Sequence, residues 1–174
     1  GTPAGILRIP NQSIPATGTV GYRYITVTNT LFSTSVWLRA AVVRPGNTRV
    51  VHHALLFEGD ESSTLGGLTG YFAGYVPGVD ATSFPPNTGK LMRPGQVYTF
   101  QMHYTTTGKP ETDRTELALY LATTSPGSEL VTGAATSMDV EIPPGAVGHP
   151  ARSEFQFAED SMVYEFSPHM HLRG

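Results

Sequence analysis

Val97-Tyr98-Thr99-Phe100-Gln101-Met102-His103-Tyr104-Thr105 is the stretch that decides the fold class. Tyr98, Phe100, Met102 and Tyr104 fall on one side of an extended chain, and Thr99, Gln101, His103 and Thr105 on the other. Successive side chains of a strand point to opposite faces, so this period predicts a β-strand with one face in a core and one turned outward. Working outward, residues 115–123 set Leu117, Leu119 and Leu121 against Ala118 and Tyr120, again a strand pattern. Residues 20–28 are rich in Tyr, Ile, Thr and Val, which suit a pleated surface. Residues 36–43 place Val36, Leu38, Ala40 and Val42 on one face, with Trp37 and Arg39 on the other. Residues 50–57 are apolar apart from two histidines, as expected of a strand covered on both faces. Residues 71–76, 137–142, 153–157 and 162–171 complete the predicted strands.

Between these segments lie turn formers such as Pro45-Gly46-Asn47, Gly108-Lys109-Pro110 and Ser125-Pro126-Gly127. Residues 58–70 read as a Gly-rich polar loop, and residues 77–95 as a long irregular excursion punctuated by proline and glycine. Residues 1–19, with Pro3, Pro10 and Pro15, read as an irregular N-terminal arm or edge segment. No amphipathic helix is evident. Many short strands with turn-rich connections predict an all-β fold, an antiparallel β-sandwich of jelly-roll-like kind, occupying residues 20–174.

Composition narrows the function. The chain has 174 residues, 14% of them charged, and a formal net charge of −3. A nucleic-acid surface needs clustered Lys and Arg, so nucleic acid is not an expected partner. No apolar run reaches the ~18 residues of a membrane span. The absence of cysteine excludes disulfides, Cys-ligated zinc and iron–sulfur clusters. No leader-like segment opens the chain, as expected of a mature protein or an excised portion of one. A Gly-x-Ser-x-Gly elbow, a Cys nucleophile and a phosphate-binding Gly-rich loop are all missing from the sequence.

The six histidines are the remaining chemistry. Five fall in three settings: His52-His53, His103, and His169-Met170-His171. His103 sits on the polar side of its strand, opposite the aromatic side. His169 and His171 are two apart on a predicted strand and project to one face, close enough to share a metal. Met170 points the other way, into the core. His52 and His53 are neighbours, and on a regular strand they point apart. For both to reach one metal the backbone must twist or bulge, or the two rings must use different nitrogens. Otherwise one is a core histidine and the other a surface one. His149 reads as a surface loop residue. Imidazole without thiolate suits copper.

These residues together resemble the copper type II, ascorbate-dependent monooxygenases, the family of peptidylglycine α-hydroxylating monooxygenase and dopamine β-monooxygenase. Val51-His52-His53-Ala54 looks like the His-His pair of that family's first copper site. Gln101-Met102-His103-Tyr104 looks like its His-Tyr motif, and residues 168–174 look like the His-x-His of its second site as bacterial members write it. The flanking residues 40–47 and 105–113 also read like bacterial relatives, and the lack of cysteine fits that branch rather than the disulfide-rich eukaryotic one.

The resemblance implies that His52, His53 and His103 hold an electron-transfer copper, and that His169 and His171 hold an oxygen-activating copper. Family members complete the second site with a methionine from a further sandwich domain, so the chain is expected to be the first domain of a longer enzyme, ending at the start of the second. Met92, Met102, Met138, Met162 and Met170 are the methionines present, and none is a favoured ligand. The implied activity is hydroxylation of a C–H bond in a small-molecule or peptide substrate, using dioxygen and ascorbate or another one-electron donor. A periplasmic or extracellular location is expected with it. Two other readings stay open: a copper-binding or electron-transfer module serving a redox partner, and a structural or carbohydrate-binding sandwich with incidental histidines.

Overall fold

The computed structural model describes residues 1–60, 70–78, 83–137 and 140–166. Among these residues there are eleven strands and no helix: β1 (Gly5–Arg8), β2 (Gln12–Ile14), β3 (Arg23–Thr28), β4 (Val36–Arg44), β5 (Val51–Glu58), β6 (Tyr71–Tyr75), β7 (Thr88–Met92), β8 (Val97–Tyr104), β9 (Glu111–Asp113), β10 (Glu116–Leu121) and β11 (Ser128–Glu129). One sheet has the order β1-β10-β4-β7-β11, a second the order β3-β8-β5-β6, and β2 pairs with β9. Every pairing is antiparallel except the short β11–β7 contact. The chain alternates between the larger sheets, β3 to β4 to β5 and β7 to β8, and the two sheets form the β-sandwich that the alternation predicts.

The core is the sum of the inward faces. From β8 it takes Tyr98, Phe100, Met102 and Tyr104, all buried, as the two-residue period requires. Leu117 and Leu119 of β10, Leu38 of β4, Ala54 and Leu56 of β5 and Phe72 of β6 close against them in one cluster. The inward set of β4 is Leu38, Ala41 and Val43 rather than Leu38, Ala40 and Val42, because Arg39 is an extra residue where the β10–β4 register slips, Tyr120 pairing with Ala40 and Leu121 with Leu38.

Several segments differ from expectation. Residues 1–19 are not an irregular arm: β1 lies at a sheet edge against β10, β2 pairs with β9, and Leu7, Ile9 and Ile14 are buried. Both strands are too short, and too interrupted by proline, for periodicity to reveal them. The stretch 77–95 contains β7, a strand hidden by flanking prolines and glycines. The chain separates into two compact units, Gly1–Ala134 and Ala135–Gly174. All eleven of the described strands belong to the first. In the second, residues 140–142, 153–157 and 162–166 form no strands, although their sequences read as strands. There the Ser153 hydroxyl donates to the Ala135 carbonyl at 2.9 Å, and the Phe155 and Phe157 rings meet edge to face at 5.1 Å. No helix among the described residues is long and apolar enough to cross a membrane.

One buried carboxylate ties three segments of the first unit together. Asp113, at the end of β9, accepts from the Asn47 backbone N–H (2.9 Å), the Tyr104 hydroxyl (3.0 Å), and the Thr115 N–H (3.2 Å) and hydroxyl (2.8 Å). It thereby joins the turn before β5, the end of β8 and the start of β10. Burial and the adjoining carboxylate push the Tyr104 phenol well above its ordinary pKa, so it stays a donor.

Phe100→Ala is expected to cost about 3–5 kcal/mol, as for a large ring removed from a filled core, read from the midpoint of chemical denaturation. Asp113→Ala is expected to cost about 3 kcal/mol by leaving buried donors unpaired, against about 1 kcal/mol for Tyr104→Phe, in the same measurement. Equal losses for the last two would contradict the carboxylate's role as a shared acceptor.

Candidate metal centre

The site grows from the ladder between β5 and β8. Val51 pairs with Tyr104 and His53 with His103, so β5 advances two residues where β8 advances one. His52 is the extra residue, and the irregularity is a β-bulge. Its effect follows from side-chain parity. Val51 and Tyr104 point into the core, and Ala54 and Met102 do the same on the other side of the bulge. The residues between them, His53 and its partner His103, point outward. The inserted His52 breaks the alternation and is also left on the outer face. Two neighbouring histidines that a regular strand would separate therefore stand together.

All three rings converge. The His52 and His53 Nδ1 atoms are 3.1 Å apart, and one nitrogen from each of the three imidazoles lies within 4.8 Å of the others. The His103 ring centroid is 4.9 Å from those of both His52 and His53. A metal bound at about 2.0 Å from each nitrogen holds them roughly 3–4 Å apart, so small ring rotations suffice to close the set. His52 is exposed, and His53 and His103 are half-buried. The Nδ1 atom of His103 is buried without a hydrogen-bond partner. Desolvation, with the neighbouring His52 adding to it, holds the His103 pKa below the usual imidazole value, so this ring is neutral at neutral pH. Neutral imidazole is the form that ligates, and an orphaned buried nitrogen fits a site made for a cation.

Tyr22 also belongs to the site. It stacks on His103 with ring centroids 4.7 Å apart and 25° between planes, and lies tilted against His53 at 5.7 Å. It precedes Arg23, which pairs with Met102, and so comes beside His103. Tyr22 and Tyr24 share parity within residues 20–28, but the sequence does not say which strand they flank. On the same outer face the Gln101 amide donates to the Tyr24 hydroxyl at 3.1 Å.

His52, His53 and His103 are thus brought together as the resemblance requires. His169 and His171 lie outside the described residues. His149 is exposed in the second unit.

His103→Ala is expected to abolish tight metal binding while leaving the denaturation midpoint nearly unchanged, because the side chain is on the outer face. Metal stoichiometry by elemental analysis after dialysis is the check. An unaltered stoichiometry would remove His103 from the ligand set. No family model matches the chain, and neither a curated protein nor a solved structure does.

Proposed function

We propose that this chain is a copper-binding domain of the copper type II, ascorbate-dependent monooxygenase kind, with His52, His53 and His103 holding the electron-transfer copper. One observation carries the reading: a β-bulge turns an adjacent histidine pair to one face and sets it against a third histidine from the neighbouring strand. Three imidazoles without a thiolate or carboxylate accommodate both Cu(I) and Cu(II), and copper so held supplies one-electron transfer. The resemblance adds His169 and His171 as ligands of an oxygen-activating copper, with a third ligand from outside this chain.

The protein's own part is positional. The bulge fixes His52 and His53, the β5–β8 register brings His103 to them, and the Tyr22 ring covers His103 and limits its rotation. Desolvation keeps His103 unprotonated and ready to bind. The exposed His52 edge leaves a path for ascorbate or another one-electron donor. The substrate would be a small molecule or peptide with an accessible C–H bond. A periplasmic or extracellular location goes with this reading.

A second reading, a copper-binding electron-transfer module without hydroxylation, is favoured by the open face of the trio and by its being the one converging set of three such ligands among the described residues.

Anaerobic and aerobic copper titrations followed by electron paramagnetic resonance test the first step. A single mononuclear Cu(II) signal with nitrogen hyperfine structure, lost in His103→Ala, is expected. Preference for zinc over copper in direct competition would overturn the copper assignment. Substrate-dependent oxygen uptake with ascorbate, lost in His169→Ala while the His103-dependent signal persists, separates the monooxygenase from the electron-transfer module.

A further inference from the structure

At the far end of β5 a second cluster of reactive groups surrounds Lys90. Lys90 lies on β7 opposite Leu38 and two residues before Met92, both fully buried, so it occupies a core-facing position. It is 7% exposed. Its Nζ donates to the Thr132 hydroxyl at 3.2 Å and the Tyr71 carbonyl at 3.4 Å, and sits 5.0 Å above the Phe72 ring centroid. The amine borders a cavity of about 110 Å³ whose other walls include Glu58, Tyr71, Leu91, Glu129 and Thr132. Glu58 stands opposite Tyr98 across the β5–β8 ladder, and the Tyr98 hydroxyl is buried without a hydrogen-bond partner. Gly70 closes the end of this site. It takes φ +75°, and a Cβ there would come within 2.7 Å of the Glu58 carbonyl oxygen, so no other residue fits without displacing Glu58.

A buried ammonium is costly, and a lysine relieves that cost by losing its proton. Desolvation lowers the Lys90 pKa, opposed by Glu58, and desolvation raises that of Glu58, opposed by Lys90 and Arg93 and reinforced by Glu129. Burial thus works against the charged form of each group, and each charge in turn supports the other's. The geometry is what matters: an amine and a carboxyl line one small, partly apolar cavity, a nucleophile with a proton donor at hand.

We propose that Lys90 is a carbonyl-capturing amine that forms a Schiff base with a small uncharged aldehyde admitted to this cavity. The Nζ lone pair attacks the carbonyl carbon and forms the C–N bond. The C=O π pair moves to oxygen, which takes a proton from the Glu58 carboxyl. The nitrogen returns one proton to Glu58, which passes it to the hydroxyl as water leaves; the nitrogen lone pair forms the C=N bond and the last N–H proton goes back to Glu58, so lysine plus aldehyde gives imine plus one water with no redox change. Thr132 and Tyr98 are the hydroxyls near the amine and the acid. Glu129, on the cavity wall, selects against carboxylate-bearing carbonyl compounds such as keto acids. The site stands apart from the histidines and does not depend on their metal.

The chain contains two lysines, Lys90 and Lys109, so the second is an internal control. Lys109 is 62% exposed and pairs with Glu111 at 3.6 Å. The full chain is treated at neutral pH with propionaldehyde and cyanoborohydride, and adducts are located by peptide mass spectrometry. The expected result is modification of Lys90 about tenfold faster than Lys109. With a bulky aromatic aldehyde, too large for the cavity, the preference should reverse. Glu58→Gln should slow modification of Lys90 by about 100-fold with Lys109 unaffected. Lys109 reacting as fast as Lys90 with propionaldehyde, or a ratio indifferent to aldehyde size, would overturn the proposal in the unmutated protein, whatever the variant does.

Discussion

The carboxylate of Asp113 is the constraint on which the arrangement of the histidines rests. It is 2% exposed and accepts from donors in three segments, two of which flank the bulge. Asn47 belongs to the turn that delivers the chain into β5, and Tyr104 is the last residue of β8. The Val51–Tyr104 pair is the rung immediately beyond the bulge. Fixing Tyr104 and Asn47 to one acceptor fixes where β5 begins relative to where β8 ends. That relative position leaves one residue too many on β5, and the surplus residue is His52. A charged acceptor with several donors is worth more than a single neutral hydrogen bond, and its burial makes every broken contact costly. The register is therefore held from outside the strand that contains the surplus.

The same two strands connect the proposed metal centre to the sandwich's hydrophobic physics. The inward face of β8 contributes four fully buried side chains, and it is their fit against Leu56, Phe72 and Leu119 that keeps the outward face in place. His103 needs no conformational choice beyond its ring rotation once that face is set. Tyr22 stacks on it from the neighbouring β3 side and narrows even that choice. The site is thus preorganised by a core it does not enter, which is the usual condition for holding ligands at metal distance.

β5 carries different chemistry at its two ends. His52 and His53 lie at the start, and Glu58 at the end. Six residue steps of extended chain separate His52 from Glu58, about 20 Å at the strand rise, so the two groups act independently. At the histidine end the polar groups face outward and are accessible. At the Glu58 end they face a cavity and are desolvated. The same ladder produces both because it passes from an edge-like bulge to a covered rung.

Much of this was legible from one chain segment at a time. The alternation of residues 97–105 determined that β8 exists, which of its side chains are buried, and that His103 faces outward, because strand parity is a local property of extended backbone. It also limited His52 and His53 to two outcomes, apart on a regular strand or together on a bulged one. Choosing between them required the pairing register of β5 on β8, which tertiary packing and the Asp113 bonds decide. The edge strands β1 and β2, the inward Lys90 of β7 and the Tyr22 ring were hidden for a related reason: each is defined by its partner across the sheet or the core, and three to six residues of sequence do not carry that partner's identity. Residues 140–142, 153–157 and 162–166 show the reverse case, since their sequences read as strands yet they form none. A strand needs hydrogen-bonding partners as well as a pattern. The sequence by itself determined the two-faced strands and which side chains are available as ligands. The tertiary structure decided the register, because register depends on groups distant in the chain, and with it the convergence of the three histidines.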